Sequence, residues 1–354
     1  MKKIVMMMMM VLLVTACGKT TDDMYDKVEA VTEAVVEEAV KEEVVTEAVE
    51  ELAEAVVTEA MTLKVIAPYG TPVLTMVKMF VEQPEIAENV SVEYEALQAT
   101  DVLTSELINE NADFAIVPTN LAAVLASKDV GYKLAGSSVW GIFYIVTTEE
   151  ITSIEELKGK RVGMIGKGLT PDAMFRYILT ENGLNPDEDL TLEYFSGSSE
   201  LATNFISGQI DYAMMPEPVL TNVLLKREGS IAAIDLQASW ADATGMDSYP
   251  LSSIIVKESL AESSPEIVEA FLRIYGESVA WLNENPAEAG AYYESLDLGL
   301  PAMIIEKAIP ACNLRFIPVD EAKEDIDKFL DVLYTFNPKI VGGQPIDKDL
   351  YLEK

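Results

Sequence analysis

The strongest constraint on the fold is a unit that recurs four times along the chain. In each copy, a short apolar run is followed by a turn rich in proline, glycine or threonine and then by a helical stretch. The apolar runs have the length of buried strands, and they cover residues 63–67, 113–117, 161–165 and 211–215. The helices that follow are predicted over residues 73–81, 121–127, 172–182 and 219–226. Strands that alternate with helices indicate an α/β fold with mostly parallel sheets.

The helix starts after these strands carry polar residues that suit either helix capping or ligand binding. Thr71-Pro72, Thr170-Pro171 and Glu217-Pro218 each place a polar residue before a proline, and Thr119-Asn120 place a hydroxyl after Pro118. Any helix needs such caps. In open α/β sheets, ligands also bind beyond the carboxyl ends of strands, where helix N-termini present free N–H groups. Four turns of this kind favour one shared ligand cleft, with plain capping as the alternative.

The candidate ligand-binding residues lie in and near these turns. They are Tyr69, Thr71, Pro72, Thr119, Asn120, Trp140, Gly141, Thr170, Pro171 and Glu217. Hydroxyls and helix-start amides hold polar or anionic groups, and the rings of Tyr69 and Trp140 can stack on a planar ligand or wall the pocket. Trp140 precedes a predicted strand over residues 142–147, a position that suits either the cleft edge or the core. Tyr249 is a weaker candidate.

Glu217 allows two interpretations. Its carboxylate can accept hydrogen bonds from an amine or an aminopyrimidine, or it can stabilise the helix start through the helix dipole without touching a ligand. None of the four turns contains arginine, so a doubly charged ligand held by a bidentate arginine is disfavoured. A monoanion, a zwitterion or a neutral heterocycle fits these turns better.

The N-terminus has the pattern of a secretory signal. Lys2 and Lys3 precede an apolar run over residues 4–14, which is shorter than the roughly 20 residues that span a bilayer. Val14-Thr15-Ala16-Cys17 resembles a bacterial lipobox. It predicts a signal peptide over residues 1–16 and a lipid such as palmitate on Cys17, with an ordinary signal peptide and an incidental cysteine as the alternative. We therefore expect an extracytoplasmic protein anchored to the cell membrane by lipid.

Residues 17–62 form an acidic, low-complexity segment in which Val-Thr-Glu-Ala recurs three times, over residues 31–34, 45–48 and 57–60. Alanine and glutamate favour a helix, whereas the valines and threonines weaken it. The segment is either a partly helical spacer, about 50–60 Å long at the helical rise per residue, or a disordered tether. Both alternatives predict a stalk.

Composition excludes several functions. Histidine is absent, which rules out a Ser-His-Asp triad, an imidazole base and His-ligated zinc. The net charge of −35 repels phosphate backbones, so we expect no nucleic-acid partner. The cysteines are Cys17 and Cys312. With Cys17 lipidated, Cys312 has no disulfide partner, and we predict a buried apolar residue rather than a nucleophile. We expect no cofactor and no metal site.

Two segments of the chain, residues 153–164 (SIEELKGKRVGM) and residues 205–218 (FISGQIDYAMMPEP), carry recognisable motifs. The first resembles the start of the second lobe in periplasmic-type solute-binding proteins of the nitrate/sulfonate/taurine and thiamine-pyrimidine group, and the second resembles the G-x-(I/V)-D-A…E-P segment of that group. Residues 111–119 (NADFAIVPT) are similar to the first-lobe counterpart. Residues 264–271, with 281–287, resemble the later P-E-x-V helix and its W-x-x-x-N-P continuation. The similarity extends over roughly residues 63 to 335.

The resemblance implies a periplasmic-binding-protein type 2 fold with two lobes and two crossovers. Lobe one would take residues 63–146 and 250–354, and lobe two residues 147–249. Proteins of this group close around a small solute and deliver it to the permease and ATPase subunits of an ABC importer. The implied function is a monomeric solute-binding lipoprotein, without enzymatic activity, for a sulfonate, a taurine-like or a thiamine-pyrimidine-like solute.

Two other functions stay open at the level of the sequence. The same fold can serve a surface receptor or signalling module, which the acidic stalk permits. It also hosts a pyrimidine synthase and menaquinone-pathway enzymes. The synthase consumes an active-site histidine, which this chain lacks, and the menaquinone-pathway enzymes are cytosolic and would not carry a lipobox.

Overall fold

The structure is a computed structural model that describes residues 60–98, 100–346 and 348–353. The chain divides into two units, Met1–Glu59 and Ala60–Lys354, and the described residues belong to the second. The predicted signal peptide, Cys17 and almost all of the predicted stalk lie outside the described residues. Among the helices that are described, none combines the length and the apolar character needed to cross a membrane.

Lobe one is built on a six-stranded sheet. Its strands are β1 (Met61–Pro68), β2 (Val90–Leu97), β3 (Phe114–Pro118), β4 (Tyr132–Trp140), β10 (Pro250–Lys257) and β11 (Leu314–Pro318). They are ordered β11-β4-β10-β3-β1-β2 across the sheet. The central β3 is apolar and almost fully buried along its length, as expected for a strand covered on both faces.

Lobe two is built on a five-stranded sheet. Its strands are β5 (Phe143–Thr147), β6 (Arg161–Ile165), β7 (Thr191–Phe195), β8 (Tyr212–Pro216) and β9 (Ile231–Asp235). They are ordered β7-β6-β8-β5-β9. This is the two-lobed α/β arrangement with two crossovers that the resemblance implies.

The expectation of mostly parallel sheets is wrong for the pairing of the strands. β1 pairs in parallel with β2 and β3, and β6 pairs in parallel with β7 and β8. β10 is antiparallel to β3 and β4, β11 is antiparallel to β4, and β5 is antiparallel to β8 and β9. The antiparallel pairs of β5 and β10 arise because the chain passes from one lobe to the other just before each of these strands. Each strand then runs in the direction opposite to that of its neighbours.

Helices pack on these sheets. They are α1 (Thr71–Leu74), α2 (Val77–Glu82), α3 (Thr100–Ile108), α4 (Thr119–Ala126), α5 (Thr170–Glu181), α6 (Ser198–Ile206), α7 (Val219–Lys226), α8 (Leu236–Thr244), α9 (Glu258–Ser263), α10 (Pro265–Glu284), α11 (Pro286–Ser295), α12 (Ala302–Ala308) and α13 (Val319–Phe336). Short 3₁₀ turns cover Ile154–Leu157, Ile309–Ala311, Pro338–Val341 and Lys348–Leu350. The single helix predicted over residues 73–81 is two helices, α1 and α2. The break falls at Thr75, whose hydroxyl donates to the carbonyl oxygen of Pro72 at 2.6 Å.

The first crossover between the sheets is short. β4 ends at Trp140 in lobe one and β5 begins at Phe143 in lobe two, so only residues 141–142 connect them. The predicted boundary after residue 146 is therefore too late, because β5 pairs with β8 and β9 of the second sheet. The chain returns to the first sheet at Pro250.

The two lobes share a hydrophobic core behind the crossovers. Trp240 of α8 lies 5.4 Å from Tyr249 and 5.8 Å from Phe329 of α13, measured between ring centroids. The helices α13 and α5 also contact each other across the lobes. A second cluster in lobe two, which includes Phe205 and Met215, packs the opposite face of that sheet.

Candidate functional site

The carboxyl ends of four strands lie next to the joint between the lobes, which is the region around the two crossovers at residues 141–142 and 245–249. β1 and β3 are parallel and therefore end at one edge of the first sheet, and β6 and β8 end at one edge of the second. The strand register places both edges next to the crossovers. Ser252, near the start of β10, pairs with Pro118 at the end of β3, and Phe143, the first residue of β5, pairs with Pro216 at the end of β8. The helix starts that follow these strands therefore lie near the crossovers between the lobes, and the ligand cleft that the sequence predicts there stays a prediction.

The helix starts differ from the predicted caps. The N-caps of α1, α4 and α5 are Gly70, Pro118 and Leu169, and none of these helices has a side-chain cap. Thr71, Thr119 and Thr170 are each the first residue inside a helix. The capping interpretation is therefore wrong for these threonines. In the helices that start at Thr71 and Thr170, the proline occupies the second helical position, where its missing amide has no intrahelical partner to lose, and in the helix that starts at Thr119 the N-cap is Pro118.

Two of these threonines have hydroxyls with no partner among the residues that the structure describes. Thr71 is only 5% exposed and Thr170 only 8%, yet neither hydroxyl makes a hydrogen bond to any residue that the structure describes. Neither oxygen belongs to the fully buried, unpartnered side-chain atoms of the described residues, so both oxygens keep some exposure to solvent although most of each residue is covered. One such hydroxyl therefore stands at each side of the joint, next to the free amides of a helix start.

Thr119 instead belongs to a buried chain of hydroxyls. Its Oγ1 lies 2.8 Å from Oγ of Ser253, which lies 2.8 Å from Oγ of Ser137. All three residues are fully buried. The two serines stand on β10 and β4, and sequence reasoning missed them because nothing local marks a serine in a strand as part of a buried network. Thr119 therefore has a structural partner, and a contact with a ligand stays a prediction.

Glu217 is buried at the end of β8. Its carboxylate accepts hydrogen bonds from the backbone N–H and the hydroxyl of Thr221, both at 3.0 Å. Burial raises the pKa of Glu217 above the ordinary value, against the lowering effect of these two bonds. None of the ion pairs among the described residues includes this carboxylate. The geometry is that of a helix-start carboxylate, the second of the two interpretations, and its contact with a ligand stays a prediction.

Trp140 and Gly141 form part of the joint itself. Trp140 is fully buried. Its Nε1 donates to the carbonyl oxygen of Arg315 at 3.0 Å, and the guanidinium carbon of Arg315 lies 4.8 Å from the centroid of the Trp140 ring. The core alternative for Trp140 therefore fits the structure. Gly141 has no room for a side chain, since a Cβ would lie 2.5 Å from Cγ of Gln237 and 2.7 Å from the ring of Tyr249. Both residues are packed against other protein groups, so their contact with a ligand stays a prediction.

The remaining candidates have mixed surroundings. Tyr69 is 38% exposed and precedes α1, so its ring is accessible. Pro72 and Pro171 are the second residues of α1 and α5. Asn120 donates from Nδ2 to the carbonyl oxygen of Ile340 at 2.8 Å, which ties α4 to a C-terminal turn. Tyr249, the weaker candidate, is fully buried in the joint.

A buried carboxylate holds the loop before Thr170, and sequence reasoning missed it. Asp172 accepts from the backbone N–H of Gly168 at 2.7 Å, from Nε of Arg176 at 2.9 Å and from the hydroxyl of Tyr194 at 2.7 Å. Asp172 is 3% exposed. The available signal was its spacing of four residues from Arg176 in a helix. This network fixes the loop that presents Thr170.

The lobes also contact each other at residues 311–312. The hydroxyl of Tyr144 in lobe two donates to the carbonyl oxygen of Ala311 in lobe one at 3.2 Å, and burial raises the pKa of Tyr144 to about 12. Cys312 is fully buried, which confirms the predicted burial of this residue. Burial and the nearby Glu217 carboxylate hold the pKa of its thiol well above the usual range, so the neutral thiol is the stable form.

Comparison with known proteins adds homology to this geometry. The family model described as "NMT1/THI5 like" matches residues 86–289. The putative binding protein YtlA of Bacillus subtilis is 21% identical over 206 residues, which are 57% of this chain and 60% of YtlA. The match therefore spans less than two thirds of the length of this curated relative.

Solved structures share the fold. One described as an ABC transporter from Parabacteroides distasonis is 25% identical, with a TM-score of 0.73 over 83% of this chain and 99% of that chain. The periplasmic aliphatic sulphonate binding protein SsuA of Escherichia coli is 17% identical, with a TM-score of 0.65 over 83% of this chain and 94% of that chain. Since the family model covers more than half of the sequence and the fold agrees with it, this chain belongs to the NMT1/THI5-like family.

Proposed function

We propose that this protein is the extracytoplasmic solute-binding component of an ABC importer, and that it holds one small organic solute between its lobes. The observation that carries the proposal is the pair of hydroxyls on Thr71 and Thr170, which bond to no described residue and lie one in each lobe. A solute that bonds to both hydroxyls favours the arrangement in which the lobes are close together. Differential contacts of this kind shift a two-state equilibrium toward closure.

The cleft edges suggest the chemistry of the solute. Two helix starts and two hydroxyls suit a sulfonate, a carboxylate or a ring carbonyl, and the exposed ring of Tyr69 suits an apolar or planar part of the molecule. The turns contain no arginine, which argues against a dianion. Sulfonates, taurine-like compounds and thiamine-pyrimidine-like compounds are the proposed solutes. The protein binds them without changing them chemically.

The proposal includes a lipid anchor at Cys17 and an acidic stalk over residues 17–62 that gives the binding unit reach. The partners are then the permease and ATPase subunits, and the binding protein acts as a monomer. Incorporation of labelled palmitate into the wild type and its loss in Cys17→Ser tests the anchor. Deletion of residues 30–58 tests the stalk, since it is expected to lower uptake and to leave the affinity in solution unchanged.

Calorimetric titration tests the binding function. We expect one of four panels (sulfonates, pyrimidines, flavins or amino acids) to contain a solute that binds saturably with one site per chain. Mass spectrometry after incubation is expected to recover that solute unchanged. Flat titrations across all four panels would contradict the proposal, and a chemically altered solute would indicate an enzyme instead.

A further inference from the structure

We propose that Asn313 is a positioning residue that clamps the two crossovers together and thereby sets how readily the lobes separate. The inference rests on the proposed function, because it assigns a control over the same interlobe site. Asn313 lies directly before β11 with a φ of 47°. Asparagine tolerates this left-handed conformation better than most residues, so the backbone turns here without glycine.

The side chain of Asn313 reaches both crossovers. Its Nδ2 donates to the carbonyl oxygen of Gly141 at 3.3 Å and lies 3.2 Å from Oγ of Ser248. Gly141 belongs to the first crossover, and Ser248 precedes β10 in the second. The Ser248 hydroxyl also accepts from the backbone N–H of Gly141 at 3.0 Å. Three segments far apart in sequence therefore meet in one small hydrogen-bonded ring.

The backbone of Asn313 adds a further bond. Its carbonyl oxygen accepts from the N–H of Trp140 at 3.2 Å, the last residue before the first crossover. Asn313 thus holds both peptide units that flank the start of this crossover. A lobe rotation that turns the Gly141 peptide has to break these bonds.

Residues 311–313 carry contacts to lobe two as well. The carbonyl oxygen of Ala311 accepts a hydrogen bond from the hydroxyl of Tyr144 at 3.2 Å. Cys312 lies close enough to Glu217 for that carboxylate to help raise the pKa of the Cys312 thiol. This segment of lobe one acts as a third connection at the joint, beside the two covalent crossovers. Because Gly141 is packed against Gln237 and Tyr249, the joint has little free space in which to absorb motion without breaking the clamp.

The distance between the lobes in the ligand-free protein tests the inference. Nitroxide labels on Lys226→Cys in α7 and Glu269→Cys in α10, two exposed positions, report this distance by double electron–electron resonance. The full chain carries Cys17→Ser, and the buried Cys312 stays unlabelled. With Asn313→Gly, we expect the population with separated lobes to rise about tenfold, as loss of one or two net hydrogen bonds implies.

Matched variants separate the clamp from a general loss of stability. Asn89→Gly changes the same residue type at another left-handed position (φ 62°) in lobe one, and we expect no change in the distance distribution. Ser248→Ala should widen the distribution in the same sense. The double variant Asn313→Gly/Ser248→Ala should add little to either single change, because both act on one ring.

The outcomes are separable from the test of function. An unchanged distribution in Asn313→Gly overturns the inference, and so does equal widening by Asn89→Gly. If Asn313→Gly does not fold, Ser248→Ala decides by the same criterion. Absence of solute binding in the wild type would contradict the proposed function alone, since the distance measurement needs no solute.

Discussion

Tyr249 donates its hydroxyl hydrogen to Oε1 of Gln237 at 2.8 Å, and both side chains are buried at the joint between the lobes. The same oxygen accepts from the backbone N–H of Phe143 at 3.0 Å, and Nε2 of Gln237 donates to Asp235 at 2.7 Å. One amide side chain therefore connects the end of the second crossover, the start of β5 and the cap of α8.

Replacement of Gln237 should destabilise the protein more than replacement of Tyr249. Tyr249→Phe removes one bond and should lower the free energy of unfolding by about 1 kcal/mol. Gln237→Ala leaves a buried amide and a buried hydroxyl without partners and should cost about 2–4 kcal/mol. Urea unfolding measures both. Gln209→Ala, at an exposed glutamine, is the control and should stay within about 0.5 kcal/mol of the wild type. Equal effects of Gln237→Ala and Gln209→Ala would contradict this account.

Gly141→Ala should be destabilising because the joint has no space for a methyl group. The added Cβ would meet Cγ of Gln237 at 2.5 Å and the Tyr249 ring at 2.7 Å, and overpacking of this kind costs about 1–3 kcal/mol. Gly197→Ala is the matched control, since a Cβ there meets nothing within 4 Å and the backbone is extended. Thermal unfolding of the two variants compares them directly. The packing argument fails if Gly141→Ala unfolds at the temperature of Gly197→Ala.

The ends of some strands and helices could be predicted from the sequence, whereas the surroundings of Gly141 could not. The strand over residues 161–165 and the helix over residues 219–226 have the bounds that the sequence predicts, because glycine and proline mark their ends locally. The joint depends on bonds between Gly141 and residues more than 100 positions away, and no local pattern contains that information. The same limit applies to the candidate site: the sequence located the helix starts, but the partner of Thr119, Ser253, became visible only when β3 and β10 were placed side by side.

Neutralising Glu217 should change how stability depends on pH. Burial raises the pKa of this carboxyl in the folded state above its unfolded value, so the folded protein binds the proton more tightly than the unfolded chain. Ionisation of Glu217 therefore costs more in the folded protein than in the unfolded chain, and it lowers the free energy of unfolding as the pH rises from the unfolded pKa to above the folded pKa. Below the unfolded pKa this loss of stability is absent.

Glu217→Gln removes this titration while its amide can still bond to Thr221. The stability of the variant relative to the wild type should therefore increase between pH 4 and pH 7 in urea unfolding series. Other carboxyl groups titrate in both proteins and cancel in the difference. A difference that is independent of pH would show that Glu217 ionises as easily in the folded protein as in the unfolded chain.

The Cys312 thiol should be inert in the folded protein. It is fully buried, and burial together with the Glu217 carboxylate keeps its pKa well above the usual range, so the reactive thiolate is scarce. In a Cys17→Ser background, Ellman's reagent should react with Cys312 only as the protein unfolds in urea. Rapid reaction in native buffer would show that this part of the joint opens frequently.

The two unpartnered threonine hydroxyls allow binding to be separated from folding. Thr71→Val and Thr170→Val remove hydroxyls that bond to no described residue, so stability should change by less than about 1 kcal/mol, while each variant should bind the solute about tenfold more weakly. Thr119→Val, which removes one of the two buried hydroxyl partners of Ser253, should show the opposite pattern, with lower stability and smaller loss of affinity. Chemical unfolding and calorimetry on the same preparations distinguish the two patterns.

Mass spectrometry of small molecules released by denaturing the purified protein is the most direct test of a solute held between the lobes. The wild type and the control Thr191→Val, changed at an exposed threonine of β7, should release the same compound, approaching one molecule per chain. Thr71→Val/Thr170→Val should release little or none while remaining folded. Release of no compound from the wild type, together with flat titrations, would contradict the account, as would equal release from the double variant.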